Sequence, residues 1–160
     1  MKRIGVCVFL LLFTVGCRSD KDLRGMMQEE ISKASAKSYF PSPDVIGPYS
    51  PAVKAGPMLF VSGQIGLNPE TDTFTGNDIE SQTKQALTNL MTVLGRAGYD
   101  SSDVVQCTVY LKDMKDFQRM NLIYGGFFAE DKYPTRSTVE VANLPRNAQI
   151  EIAAIAFKSE

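Results

Sequence analysis

Residues 150–157 read IEIAAIAF. The run has the length of a strand, is rich in isoleucine and contains no glycine or proline, so it is read as β. Both of its parities are apolar: Ile150 and Ile152 point one way, Ala153, Ile155 and Phe157 the other. A strand buried on both faces needs cover on both. One polar side chain interrupts the run, Glu151, on the parity of Ala153, Ile155 and Phe157.

The elements before it supply cover for one side only. Ala52 to Ala55 and Met58 to Ile65 flank Gly56-Pro57, a turn dipeptide, and read as a hairpin. A loop rich in turn formers follows at 67–78 (LNPETDTFTGND). Ile79, Thr83, Ala86, Leu87, Leu90, Leu94 and Ala97 then recur at helical spacing, with Asp78 as N-cap and Gly98 as stop. Val104 to Leu111 is a strand. A second helix is expected over about 116–131, with Phe117, Met120, Asn121, Tyr124, Phe127 and Phe128 on one face and Gly125-Gly126 interrupting it. Arg136 to Ala142 and Ile150 to Phe157 close the chain as strands. The order ββ-α-β-α-ββ predicts an α+β fold with two helices on one face of the sheet. The bare face implies a partner subunit.

Composition narrows the chemistry. The chain has 160 residues, 44% hydrophobic and 22% charged, with a formal net charge of −1, enough for one domain with a core. Residues 1–16 hold Lys2 and Arg3 and no acid. The rest therefore has 15 basic against 18 acidic residues, a balance of about −3. A nucleic-acid surface would need a basic face, which this balance does not suggest. There is no histidine, which excludes Ser-His-Asp and Cys-His catalysis and histidine zinc sites. The cysteines are Cys7, Cys17 and Cys107; the folded body holds Cys107 alone, too few for an internal disulfide or a thiolate metal cage. Chemistry has to come from carboxylates, Arg, Lys, Tyr, hydroxyls and the backbone.

The N-terminus reads as an address. Residues 1–17, MKRIGVCVFLLLFTVGC, join a basic start to an apolar run from Ile4 to Val15. That run is shorter than the roughly 20 residues of a spanning helix and suits the h-region of a signal peptide over residues 1–16. Gly16-Cys17 resembles a bacterial lipoprotein processing site, with Cys17 as the lipidated residue, although Thr14 stands where Leu is usual. Export to the cell envelope is the expectation, either anchored to a membrane surface through that lipid or periplasmic. Residues 17–43 are polar and mixed in charge and read as a flexible tether, with a loose helix around Leu23 to Ile31, before a domain at 44–160.

Several side chains in the body are candidates for chemistry. Arg136, at a strand start in YPTRSTVEV with Thr138 on its face, can offer a planar fork to a carboxylate; most arginines are surface or structural ion pairs. Glu151 is either an edge residue in water or a carboxylate held in a pocket, where burial raises its pKa and suits it to act as a base. Asn121 lies on an apolar helical stripe and must be hydrogen-bonded if buried. Tyr49 sits in a loop stiffened by two prolines, and Cys107 reads as an inert core thiol. Phosphate-binding glycine loops are absent from the sequence.

Six segments in register carry a resemblance: IGPYSPAV (46–53), FVSGQIGLNP (60–69), QTKQALTNLMTVLGRAG (82–98), DMKDFQRMNLIYGGFF (113–128), YPTRSTVEVANLP (133–145) and IEIAAIAF (150–157). Together they resemble the RidA (YjgF-type) family of reactive imine deaminases over nearly all of 44–160. The resemblance implies a chorismate-mutase-like fold with a mixed sheet, a homotrimer with sites in clefts between subunits, and hydrolysis of 2-imino acids to 2-oxo acids and ammonia without metal or cofactor. By the same resemblance Arg136 holds the substrate carboxylate and Glu151 positions or activates the water. Tyr49, Ser62, Gly63 and Asn121 line or support the pocket. Thr138 departs from the pattern, since many members have Cys there. A non-catalytic, envelope-anchored small-ligand-binding module of the same fold is the alternative, and RNA cleavage a third possibility that the missing basic groove and histidine disfavour.

Overall fold

A computed structural model describes residues 20–42, 45 and 47–159. The expected signal segment at 1–16 and Cys17 lie outside the described residues. The chain divides into two units, Met1–Lys33 and Ala34–Glu160. The described part of the first lies in helix α1 (Asp20–Ser35), longer at both ends than the loose helix expected. Leu23, Met26 and Met27 are exposed on it. Among the described residues no helix is long and apolar enough to cross a membrane.

The second unit holds a six-stranded sheet: β1 (Lys37–Phe40), β2 (Ala52–Ala55), β3 (Met58–Ile65), β6 (Val104–Leu111), β7 (Thr135–Glu140) and β8 (Ile150–Phe157). Their spatial order is β1-β2-β3-β8-β6-β7. All neighbours are antiparallel except β6 and β7, which run parallel around a crossover, so the sheet is mixed. A small hairpin, β4 (Leu67–Asn68) with β5 (Thr73–Phe74), occupies the loop expected at 67–78.

β1 lies inside the stretch expected to be tether. It pairs with β2 in register Lys37↔Ala55 to Phe40↔Ala52, and Phe40 packs against the core. Arg96 donates to the Pro41 carbonyl just after it.

Helix α2 (Ile79–Arg96) follows its sequence signals. The Asp78 carboxylate accepts from the Ser81 amide and hydroxyl, bonds that hold its pKa below the usual carboxylate value. Gly98 ends the helix in the left-handed region at φ 81°, and the Tyr99 amide donates back to the Leu94 carbonyl. Ile79, Thr83, Ala86, Leu87, Leu90 and Leu94 face inward. They pack on Leu59, Val109, Leu111, Ile150 and Ile152 in one core. Truncating any of these leucines to alanine is expected to cost about 2–5 kcal/mol.

Helix α3 (Phe117–Tyr124) stops well short of the expected 131. Gly125-Gly126 carries a single 3₁₀ turn to Phe127, and Phe128 is already extended. The chain keeps the apolar stripe without the helix: Phe128 is buried on leaving it. β7 likewise ends at Glu140, one pairing bond beyond being made from the Val141 amide to the Leu111 carbonyl.

The strand that opened the reading divides cleanly. Ile150, Ile152, Ala154 and Ala156 are buried on the side that α2 covers, whereas Glu151, Ala153 and Ile155 are half-buried and Phe157 is exposed. The opposite face also shows exposed Phe60 and Val139. Among the described residues of this unit it is an apolar surface without cover.

Candidate functional site

Two groups of predicted residues form, and they lie apart. The first is built by an irregularity in β3. Val61 pairs with Ala154 but Gln64 pairs with Ile152, so the two-residue stretch Ser62-Gly63 bulges opposite Ala153. The Ser62 amide donates to the Pro51 carbonyl at 2.9 Å and its hydroxyl to the Ser50 carbonyl at 2.7 Å, which ties down the Tyr49 loop. The Tyr49 amide donates to the Gly47 carbonyl, and its ring is partly exposed.

Gly63 lies directly against the Glu151 side chain; a methyl group there would fall on the carboxylate. The missing side chain thus makes room for a carboxyl group on the open face of the sheet. Tyr49, Ser62, Gly63, Ile65, Pro145 and Glu151 line a cleft of about 280 Å³. Partial burial raises the Glu151 pKa, and the carboxylate makes no ion pair or hydrogen bond among the described residues. A carboxylate raised in this way is a better proton acceptor at neutral pH than an ordinary one.

Ile65 and Pro145 were not foreseen from the sequence. Pro145 is set by a tight turn in which Arg146 and Asn147 both adopt left-handed backbone, at φ 55° and 64°. An Arg146–Asp72 ion pair and a bond from Lys112 Nζ to Asn147 Oδ1 hold that turn. Gln82, a buried amide, accepts from the Gln149 amide and donates to the Gly76 carbonyl, which fastens the start of β8 two residues before Glu151. The turn formers in LPRN were a signal for the first; a polar residue on the α2 core stripe was a signal for the second.

The second group sits on the opposite face, under α3. Arg136 pairs with Cys107 in β6, which pairs with Ala154 in β8, and both neighbours are buried. The guanidinium carbon lies 4.5 Å from the Tyr124 ring centroid and 5.7 Å from that of Phe117. Arg136 makes no ion pair or hydrogen bond among the described residues. Thr138 lies two residues on, with its hydroxyl oxygen buried and unpartnered; Asn121 Oδ1 on α3 is also buried without a partner. Cys107 is the buried free thiol expected, and burial pushes its pKa up.

Arg136 and Glu151 do not meet within one chain. Directly paired residues share a face, so Arg136–Cys107–Ala154 belong to the helix side and Glu151–Tyr110–Val139 to the open side. Three register steps and two strand spacings put their Cα atoms roughly 14 Å apart before the side chains diverge. A molecule the size of a small amino acid cannot touch both in one protomer. Among the described residues no cluster of acidic or cysteine side chains fits a metal ion.

Comparison with known proteins adds a family frame. The family described as Endoribonuclease L-PSP matches residues 41–158. A RutC family protein of Pyrococcus horikoshii is 50% identical over 117 residues, covering 73% of this chain and 92% of that protein. Reactive Intermediate Deaminase A, chloroplastic, of Arabidopsis thaliana is 41% identical over 145 residues, covering 91% and 77%. Among solved structures, E. coli TdcF with bound serine superposes with a TM-score of 0.69 at 39% identity, covering 74% of this chain and 94% of that one.

Proposed function

From the premise that the chain belongs to the endoribonuclease L-PSP family, which includes reactive intermediate deaminases, we propose that it hydrolyses 2-imino acids to 2-oxo acids and ammonia. The observation that carries this reading is a pair of oppositely charged side chains, Arg136 and Glu151, each left without an ionic partner among the described residues. Since they lie on opposite faces of one sheet, the working site takes its Arg136 half from one copy and its Glu151 half from a neighbour. The uncovered apolar face, with Phe60, Val139 and Phe157, supports a homotrimer as the assembly that joins them.

An imino acid carries its carboxylate next to the electrophilic carbon. Arg136 binds that carboxylate through two parallel N–H donors and so aims the carbon. Water lies against Glu151, which takes its proton as the oxygen bonds to C2. The C=N electron pair moves to nitrogen, which takes the proton held by Glu151. The resulting carbinolamine then collapses: its hydroxyl proton passes through Glu151 to the amino nitrogen, the C–N bond breaks, ammonia leaves and the C2–O bond becomes a carbonyl. Ser62, Gly63 and Tyr49 shape the Glu151 side; Asn121 and Thr138 line the arginine side. Cofactor and metal are not required by these steps.

A second reading, a non-catalytic module that binds small amino-acid-like ligands, is favoured by the serine bound to the TdcF relative. RNA cleavage finds no support in a chain without histidine and without a basic surplus. The assay is release of ammonia and 2-oxobutyrate from freshly generated 2-iminobutyrate. Turnover above the spontaneous rate, lost in Arg136→Lys by about 30- to 1,000-fold (roughly 2–4 kcal/mol), is the expected result. Binding of the product without turnover would establish the module instead. We further propose that residues 1–16 direct export and that Cys17 carries a lipid at the envelope. Cys17→Ser then abolishes fatty-acid labelling; equal labelling of both forms would remove the anchor.

A further inference from the structure

Arg136 is half-buried, and among the described residues no carboxylate holds it. Three acids, at the starts of α2 and α3 and at the end of β7, are engaged elsewhere. Arg119 takes both Glu80 oxygens through Nε and Nη2, and Asp116 through Nη1. Glu140, at the end of β7, accepts from the Met114 amide. What does lie against the guanidinium is aromatic. Phe117 and Tyr124 are seven residues apart on α3, two turns, and so present their rings on one side of the helix. Tyr124 is 4% exposed and backed by Phe128, with ring centroids 5.0 Å apart.

We propose that Phe117 and Tyr124 are positioning residues that hold the Arg136 guanidinium by their ring faces, leaving its N–H edge free for the substrate carboxylate. The inference rests on the carboxylate-clamp reading given above. A protein carboxylate would fix the arginine by occupying the same donors that the substrate needs, and would cancel its charge. A ring face attracts the cation electrostatically and takes no N–H. The planar guanidinium suits such stacking, whereas a compact ammonium does not. Burial keeps the Tyr124 hydroxyl and the Cys107 thiol neutral, so neither competes as an anion beside the arginine.

The experiment uses the full chain carrying Phe117→Leu, Tyr124→Leu or Tyr124→Phe. Three quantities are read: the Kd for 2-oxobutyrate by calorimetry, kcat and KM for 2-iminobutyrate, and the rate with an imine that lacks a carboxylate. Each Leu variant is expected to weaken 2-oxobutyrate binding and raise KM for the imino acid by roughly tenfold. The preference for the carboxylate substrate over the neutral imine falls by the same factor. Tyr124→Phe, which keeps the ring, restores binding and preference. Leu variants that bind and discriminate like wild type would overturn the proposal. So would an equal loss on both substrates with a lowered melting temperature, which is the mark of a packing role alone. A wild-type chain that neither binds 2-oxobutyrate nor hydrolyses the imine overturns the clamp reading itself; a wild type that does both, beside indifferent Leu variants, overturns only the aromatic cradle.

Discussion

Two inactive variants of this protein are expected to repair each other. Arg136→Lys spoils the half-site under α3 and leaves the Glu151 half intact. Glu151→Gln does the reverse. Each homogeneous protein should retain on the order of 1/30 of wild-type kcat/KM or less, if roughly 2 kcal/mol or more of transition-state stabilisation is lost. The two side chains stand on opposite faces of the sheet, with register-paired partners Cys107 and Tyr110 three residues apart on β6. A site must then draw one side chain from each of two adjacent copies. In a ring assembled at random from equal amounts of the two variants, half of the copies donate a sound arginine and half a sound glutamate. About a quarter of the sites are therefore wild type in content, and the mixture should show about a quarter of wild-type activity. Co-expression of differently tagged chains, tandem purification and native mass spectrometry establish that mixed oligomers are present before the 2-iminobutyrate assay. Mixed oligomers that stay at the level of the separate variants would refute the two-copy site. A stable monomer at micromolar concentration in sedimentation would refute it earlier.

Gly63→Ala should place a methyl group on the Glu151 carboxylate; the expected outcome is an overpacking cost of about 1–3 kcal/mol and a fall in kcat exceeding that in affinity, measured by thermal melting and steady-state kinetics. Glu151→Gln should alter stability in a pH-dependent way. The folded Glu151 pKa is raised by burial, so the unfolded chain loses this proton first as pH rises and wild-type stability declines between the unfolded value and the folded one. The glutamine variant should therefore melt above wild type at pH 7 to 8, with the gap closing below the ordinary glutamate range; a gap that widens on acidification would contradict the burial.

Elements whose signals are local were legible in the sequence. The Gly56-Pro57 hairpin, β6 and β8 fall where periodicity and turn residues put them, and Asp78 caps α2 as its side chain suggests. The misjudged ends have a local cause too: Gly125-Gly126 stops α3, and the apolar run that suggested further helix is satisfied by Phe128 packing in extended backbone. β1 was hidden because a four-residue strand, KSYF, is too short to show a periodicity; pairing with β2 and the packing of Phe40 against the core create it. For the site, the residue types and the parity of Glu151 could be read, but the face on which it stands relative to Arg136 could not. That relation depends on the pairing of β7 to β6 and of β6 to β8, and pairing is a property of tertiary contacts. The bulge that brings Gly63 to Glu151 is likewise visible only once β3 lies beside β8.

The position of β8 has a consequence for biosynthesis. Of the strands in this sheet it is the last to leave the ribosome, yet it lies between β3 and β6. Until residues 150–157 emerge, the nascent chain can assemble only two separate ribbons, β1-β2-β3 and β6-β7, with a gap where Ile150, Ile152, Ala154 and Ala156 belong. Closing that gap joins residues about a hundred positions apart, as in the pairing of Met58 with Phe157, and such distant pairings form slowly. Folding of the unit is thus deferred until synthesis of the strand is complete. A translocation channel that admits only unfolded polypeptide would gain a longer interval in which to engage the chain.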